Sequence, residues 1–196
     1  TPAQIGNRLI GRRTSALIAL AVLLFLPLSL LLYLHSEVNV EPLPLGELIP
    51  SLQLSTLQRT PVLLKTYEGK KLVLLFFTAE CLHCQRELSN LEYLYEKYKE
   101  KLQVLSISHS DGEVTRELIS VRRLSFPVLV DEKKETKQSF KIAGVPALFL
   151  VDERQILRYR RFGERSLAVD ELLLNDFVSG KFSAANDHGL PIEDSP

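Results

Sequence analysis

Six consecutive apolar residues, Leu72 to Phe77 (LVLLFF), constrain this chain more than any other stretch. A strand with one wet face alternates apolar and polar residues. A strand that is apolar at every position must be covered on both faces. That calls for a sheet with helices packed on two sides, and the flanking sequence supplies them. Residues 82–99 repeat Leu88, Leu91, Leu94, Tyr95 and Tyr98 at helical spacing. LQVLSIS (102–108) is a second strand, 113–123 a helix, PVLV before Asp131 a third strand, and 135–141 a short helix. PALFLVD and ILRYRRF flank ERQ (153–155) as the arms of a β-hairpin. A last helix over 166–179 stops at Gly180. This alternation predicts an α/β fold with a mostly parallel central sheet and an antiparallel edge.

The two cysteines of the chain, Cys81 and Cys84, follow directly, where the central strand gives way to a helix. Three chemistries use this spacing: thiol–disulfide exchange, half of a metal site, or a structural staple. A staple gains most by closing a long loop, and this pair closes almost none. The unpaired amides and the dipole of a helix first turn stabilise a thiolate at Cys81, which makes it a nucleophile near neutral pH. Cys84, one turn on, can attack a mixed disulfide on Cys81 and release the product. Strand, Cys-x-x-Cys, helix therefore suits exchange best.

Four neighbours matter to that chemistry. His83 either adds to thiolate stabilisation or is a solvent-facing polar residue at a helix start. Glu87 shares the helical face of Cys84. It is either a carboxyl of raised pKa that moves the Cys84 proton or an exposed acid favouring the helix dipole. Glu80 reads as a solvated neighbour whose charge slightly opposes a Cys81 thiolate. Pro146, in GVPALFLVD (144–152), opens an interior strand, where a missing N–H is costly. Such a proline leaves the backbone beside it free to pair with a substrate strand.

Upstream, TSALIALAVLLFLPLSLLLYL (14–34) carries no charge. At about 1.5 Å per residue it reaches roughly 31 Å, one hydrocarbon core. Pro27 is tolerable in a membrane helix. Arg8, Arg12 and Arg13 precede the run and Glu37 and Glu41 follow it, which puts residues 1–13 in the cytoplasm and the rest outside. The run exceeds a signal-peptide core, lacks a small-x-small cleavage site after it, and has no polar face. One uncleaved transmembrane helix is expected, with the cysteines where disulfides form. Residues 35–47, with two prolines and a glycine, read as a linker, 48–180 as one domain, and the polar stretch 181–196 as a flexible tail. The 24 basic and 24 acidic residues balance, and no basic patch points to nucleic acid.

KKLVLLFFTAECLHCQRE (70–87) followed by IAGVPALFLVDERQILRYRRFGE (142–164) resembles the thioredoxin fold. More closely it is similar to the membrane-anchored TlpA/ResA-type thiol–disulfide oxidoreductases, over residues 48–180 and with the anchor as well. The resemblance implies a central mixed sheet flanked by helices, Cys81 as attacking thiol, Cys84 as resolving thiol, and a cis Val145–Pro146 bond beside them as the substrate-binding segment. It implies a role for Glu87 near the site and no cofactor beyond a Cys81–Cys84 disulfide. It also implies a single-pass protein of the bacterial inner membrane with a periplasmic catalytic domain. Such a protein would be fed electrons by a membrane thiol electron-transfer protein and would reduce exported clients such as apocytochromes c or copper-site proteins. Glu80 stands where the family usually has Trp, and Leu82–His83 replaces a dipeptide that often contains Pro. A His before the second Cys is similar to strongly oxidising relatives of the DsbA kind, so oxidation is the other direction.

Two further classes compete. A peroxiredoxin would use Cys81 against peroxide. Thr78 is placed for that chemistry, but Leu74 stands where its motif has Pro. A copper- or zinc-binding module would draw on Cys81, Cys84 and His83 or His109. Neighbours on one helix turn do not all converge, and a closed zinc site takes four ligands, so no metal site is expected.

Overall fold

The computed structural model describes residues 22–27, 29 and 42–182. The elements run β1 (Gln53–Thr56), β2 (Pro61–Leu63), a 3-10 turn (Leu64–Tyr67), β3 (Leu72–Phe77), α1 (Leu82–Tyr98), β4 (Gln103–Ser108), α2 (Gly112–Arg122), β5 (Val128–Val130), α3 (Glu135–Ser139), β6 (Ala147–Val151), β7 (Leu157–Phe162) and α4 (Leu167–Ser179). The sheet order is β2-β1-β5-β4-β3-β6-β7. This is a thioredoxin-like α/β fold with a mixed sheet flanked by helices.

β3 lies in the middle, and all six of its side chains are fully buried. Leu72, Leu74 and Phe76 enter one core with Leu105, Ile107, Phe140 and Phe149. Val73, Leu75 and Phe77 enter a second core, under α1 and α4, with Leu88, Leu91, Leu94, Leu174 and Phe177. Each such burial stabilises the fold by ~1.5–3 kcal/mol, so the uninterrupted apolar run fixes β3 as the centre. Gly180, at φ +73°, closes α4 as the helix stop read from the sequence.

The expected mostly parallel sheet is not what forms. Only β3–β4 and β4–β5 pair in parallel; β1–β2, β1–β5, β3–β6 and β6–β7 are antiparallel. Two causes account for it. The hairpin of β6 and β7 inserts β6 directly against β3. In addition, residues 53–63 form a hairpin of their own that caps the far edge. Its turn rests on Arg59 at φ +63° and on the Thr56 hydroxyl oxygen accepting the N–H groups of Gln58 and Thr60. The connecting residues 57–60, LQRT, contain no Gly, Asn or Pro that would announce a turn.

Residues 43–49 run along β7, with Gly46 N–H donating to Leu157 O at 2.8 Å and Leu43 and Ile49 buried. The packed domain thus includes the end of the stretch read as linker. At the other end, Phe182 packs edge-on against Tyr159 and Phe177. Apart from residues 22–27 and 29, which are helical, the segments read as cytoplasmic terminus (1–13) and anchor (14–34) lie outside the described residues, as do 35–41 of the linker and 183–196 of the tail. No helix among the described residues is long and apolar enough to cross a membrane.

Candidate active site

The parallel strands β3, β4 and β5 end together, and the turn after β3 delivers the two cysteines to that edge. Cys81 is the N-cap of α1, with extended backbone at φ −80° and ψ 113°. The Cys84 N–H donates to the Cys81 Sγ at 3.2 Å. A sulfur thus sits where Ser or Asp would ordinarily accept from a first-turn amide, which fixes it at the helix start. Cys81 is partly exposed and Cys84 fully buried; the two are free thiols. Burial, and then the hydrogen bond with Cys81, push the Cys84 thiol up to about 12. Iodoacetamide at about pH 7.5 should therefore place a single adduct on the folded reduced chain, at Cys81. A second adduct should need denaturant; two rapid adducts on the native protein would contradict this assignment.

Val145–Pro146 is a cis peptide bond. Val145 packs against both cores, one of which also receives Cys81. Pro146 precedes β6 rather than opening it, and its carbonyl accepts from Gly163 N–H at 2.8 Å.

His83 is exposed, and its Nδ1 lies 2.9 Å from the Arg86 guanidinium and 3.2 Å from the Glu164 carboxylate. Arg86 also grips Glu164 through Nε at 2.9 Å and Nη2 at 2.9 Å. This hydrogen bond holds the Glu164 carboxyl below the usual carboxylate range. The imidazole Nδ1 is thereby committed to the β7–α4 loop.

Glu87 is not the exposed first-turn acid of one sequence reading. It is fully buried, on the stripe of α1 that also carries Cys84, Leu88 and Leu91. Its Oε1 accepts from Arg161 of β7, which also donates from Nη2 to Asp170 Oδ1 of α4 at 2.7 Å and from Nη1 to Gly163 O. All three charged side chains are at least nine-tenths buried. Arg161 Nε and Asp170 Oδ2 have no hydrogen-bond partner. Two carboxyls sharing one guanidinium cannot both ionise cheaply in such a site. Burial pushes Glu87 up to about 7; Arg161 opposes that rise and Asp170 adds to it.

A folded-state value near 7 against an ordinary value near 4.5 has a definite sign. Between those values the folded chain keeps a proton that the unfolded chain has released. The contribution of Glu87 to stability therefore falls as pH rises from about 4.5 to 7, by on the order of 3 kcal/mol, and is level on either side. Urea denaturation across this range should show the decline, and Glu87→Gln should flatten it. An unchanged slope in the variant would refute the assignment.

His109 is buried, and its Nε2 is 2.7 Å from Thr136 Oγ1. That hydroxyl donates to Asp131 Oδ2 at 2.6 Å, so it accepts from His109 Nε2–H. Burial lowers the His109 pKa. The residue ties α3 to the end of the sheet. Among the described residues no three His, Cys, Asp or Glu side chains gather as a metal site. A cleft of about 740 Å³, lined by Arg59, Asp111, Arg116 and Glu132 among others, includes neither cysteine nor Pro146.

Arg161, Asp170, Arg86, Glu164 and Ser110 are the site residues that the sequence did not reveal. The one available signal was three arginines in a six-residue strand, LRYRRF, more than an exposed strand needs.

The sequence profile of the AhpC/TSA family matches residues 45–160. The chain is 27% identical over 130 residues to the thioredoxin-like protein YneN of Bacillus subtilis, covering 64% of this chain and 74% of that one. It is 27% identical over 131 residues to the thiol-disulfide oxidoreductase ResA of Halalkalibacterium halodurans, covering 65% and 74%. A solved structure of a thiol:disulfide interchange protein DsbE from Chlorobium tepidum superposes with a TM-score of 0.65 at 22% identity, over 70% of this chain and 97% of that one, which supports the fold. With the profile matched over more than half its length, the chain belongs to the AhpC/TSA family, as a thioredoxin-fold oxidoreductase of the thiol–disulfide type, which needs no cofactor beyond its cysteines.

Proposed function

We propose that this protein reduces disulfides of exported client proteins through Cys81 and Cys84, outside the cytoplasm. The Cys81 thiolate attacks the client S–S bond, forming a mixed disulfide and releasing one client thiolate, which is protonated. Cys84 gives up its proton and attacks the Cys81 sulfur, forming the Cys81–Cys84 bond and releasing the second client thiol. The client gains two electrons and two protons, and the pair loses them. Glu87, on the same helical face as Cys84 and titrating near neutrality, takes the Cys84 proton. The backbone at Val145–Pro146 receives the client strand.

The observation that carries the direction is Cys84, a fully buried thiol with the Glu87 carboxyl adding to its rise. A dithiol whose thiolate form is disfavoured gives up electrons readily, whereas strong oxidants stabilise their reduced form. His83, the residue that could favour an oxidant, has its Nδ1 held by Arg86 and Glu164. The run 14–34 supports a single-pass anchor in a bacterial inner membrane with the catalytic domain in the periplasm. A membrane thiol electron-transfer protein would then re-reduce the pair. Apocytochromes c and copper-site proteins are the clients implied by the resemblance.

The test is the reduction potential of the pair, equilibrated in dithiothreitol and glutathione buffers and read by thiol trapping. A value at or below about −270 mV is expected; one near −120 mV would make the protein an oxidant. Catalytic consumption of hydrogen peroxide, with no disulfide reduction, would replace this reading by the peroxidase one.

A further inference from the structure

Glu80, the residue before the attacking cysteine, is exposed, yet its carboxylate is fixed. Ser110, 8% exposed on the loop after β4, donates its hydroxyl to Glu80 Oε2 at 2.7 Å. The same Ser110 oxygen accepts from the buried Ala79 N–H at 2.9 Å. Ser110 is held in turn, since its N–H donates to Ser108 Oγ at 3.1 Å, and Ser108 bonds Thr115 at 2.7 Å. The Ser110 hydrogen bond keeps the Glu80 carboxyl below the usual range, with a backbone hydrogen bond and Lys134 adding to this. A surface carboxylate is ordinarily mobile. Here a chain of buried hydroxyls holds one in place on the residue that precedes the nucleophile.

Two cations bear on this region. Lys134 pulls on Glu80, as the weakest of the influences on its carboxyl, and Arg86 interacts with Cys81 while its guanidinium is paired with Glu164. The next residue, Leu82, is 67% exposed and uncharged. A client cystine approaching Cys81 thus meets a carboxylate held by hydrogen bond on the residue before the nucleophile, with the weak pull of Lys134 set against it.

We propose that Glu80 is a specificity determinant of the exchange site, favouring client disulfides flanked by lysine or arginine and disfavouring acid-flanked ones. This rests on the exchange reading above and defines the chemistry of the client. Ser110 is the positioning residue that keeps the carboxylate in place.

The test uses the reduced full-length chain in a nonionic detergent and three small disulfides. These are cystamine, which is cationic, bis(hydroxyethyl) disulfide, which is neutral, and dithiodiglycolate, which is anionic. The readout is the ratio of second-order rate constants for cystamine and dithiodiglycolate. Differences in leaving group cancel when that ratio is compared between variants. Glu80→Gln should lower it about tenfold, as expected for removing one charge some ångströms from the reacting sulfur. Glu80→Lys should lower it further, Ser110→Ala should lower it less than Glu80→Gln, and molar salt should lower it in the wild type. If all three disulfides react but neither Glu80 variant moves the ratio, exchange stands and client selection by Glu80 is overturned. If no disulfide oxidises the pair, the exchange reading fails and this proposal fails with it.

Discussion

On the proposed mechanism Cys81→Ser should abolish disulfide reduction, a loss of at least roughly a thousandfold, because no other exposed thiol among the described residues can open a client S–S bond. Cys84 cannot take over. It is fully buried, and its thiol, pushed up to about 12, is not ionised at neutral pH. The partner variant separates the two steps. Cys84→Ser keeps the nucleophile and loses the resolving thiol, so it accumulates a mixed disulfide between Cys81 and the client, visible on non-reducing gels and by mass. Serine also leaves the fold intact, since at Cys81 its hydroxyl can cap α1 as the sulfur does. Circular dichroism and melting should therefore stay near wild type in Cys81→Ser while exchange disappears. Retained reduction in Cys81→Ser, or mixed disulfides on Cys84, would overturn the order of attack.

The sequence made the nucleophilic half of this site legible because its signals are local. An apolar run names the central strand, and two cysteines at its end fall on a helix start whatever the rest of the chain does. Glu87 was visible as well, through its three-residue spacing from Cys84. Its partners were not. Along β7, simple alternation would put Leu157, Tyr159 and Arg161 on one face. The register shift between Leu150 and Val151 breaks that pattern. Leu157 enters one core, Tyr159 packs on the other, and Arg161, paired with Leu148, faces α1 and α4. A bulge of one residue thus decides which arginine of LRYRRF is buried. Asp170 reads as an ordinary first-turn acid until α4 is docked on the sheet. Ser110 is one of several small polar residues in a loop until that loop is placed beside Ala79 and Glu80. In each case the missing information is a long-range contact, which periodicity does not carry.

Arg161→Met should cost about 3–5 kcal/mol, the penalty for removing the one cation from a buried cluster. The substitution keeps most of the side-chain volume, so the loss is chiefly electrostatic. It leaves Glu87 and Asp170, both fully buried, without their shared donor, and Gly163 O without the Nη1 bond. For a domain of this size the melting temperature should drop by about 10–15 °C. The loss should be smaller at low pH, where Glu87 is neutral, and larger at high pH. The same variant should raise the apparent pKa of Glu87, because Arg161 is what opposes its burial. The acid limb of any rate that needs Glu87 as proton acceptor would then move to higher pH. A triple replacement, Glu87→Leu with Arg161→Met and Asp170→Leu, separates charge from packing. It should recover most of the lost stability, since an apolar cluster of similar volume needs no compensating ions. It should not recover exchange if Glu87 accepts the Cys84 proton as proposed. If Arg161→Met melts like the wild type across pH 5–8, the cluster is not under the tension that two carboxyls on one guanidinium imply, and the raised pKa of Glu87 has to come from burial alone.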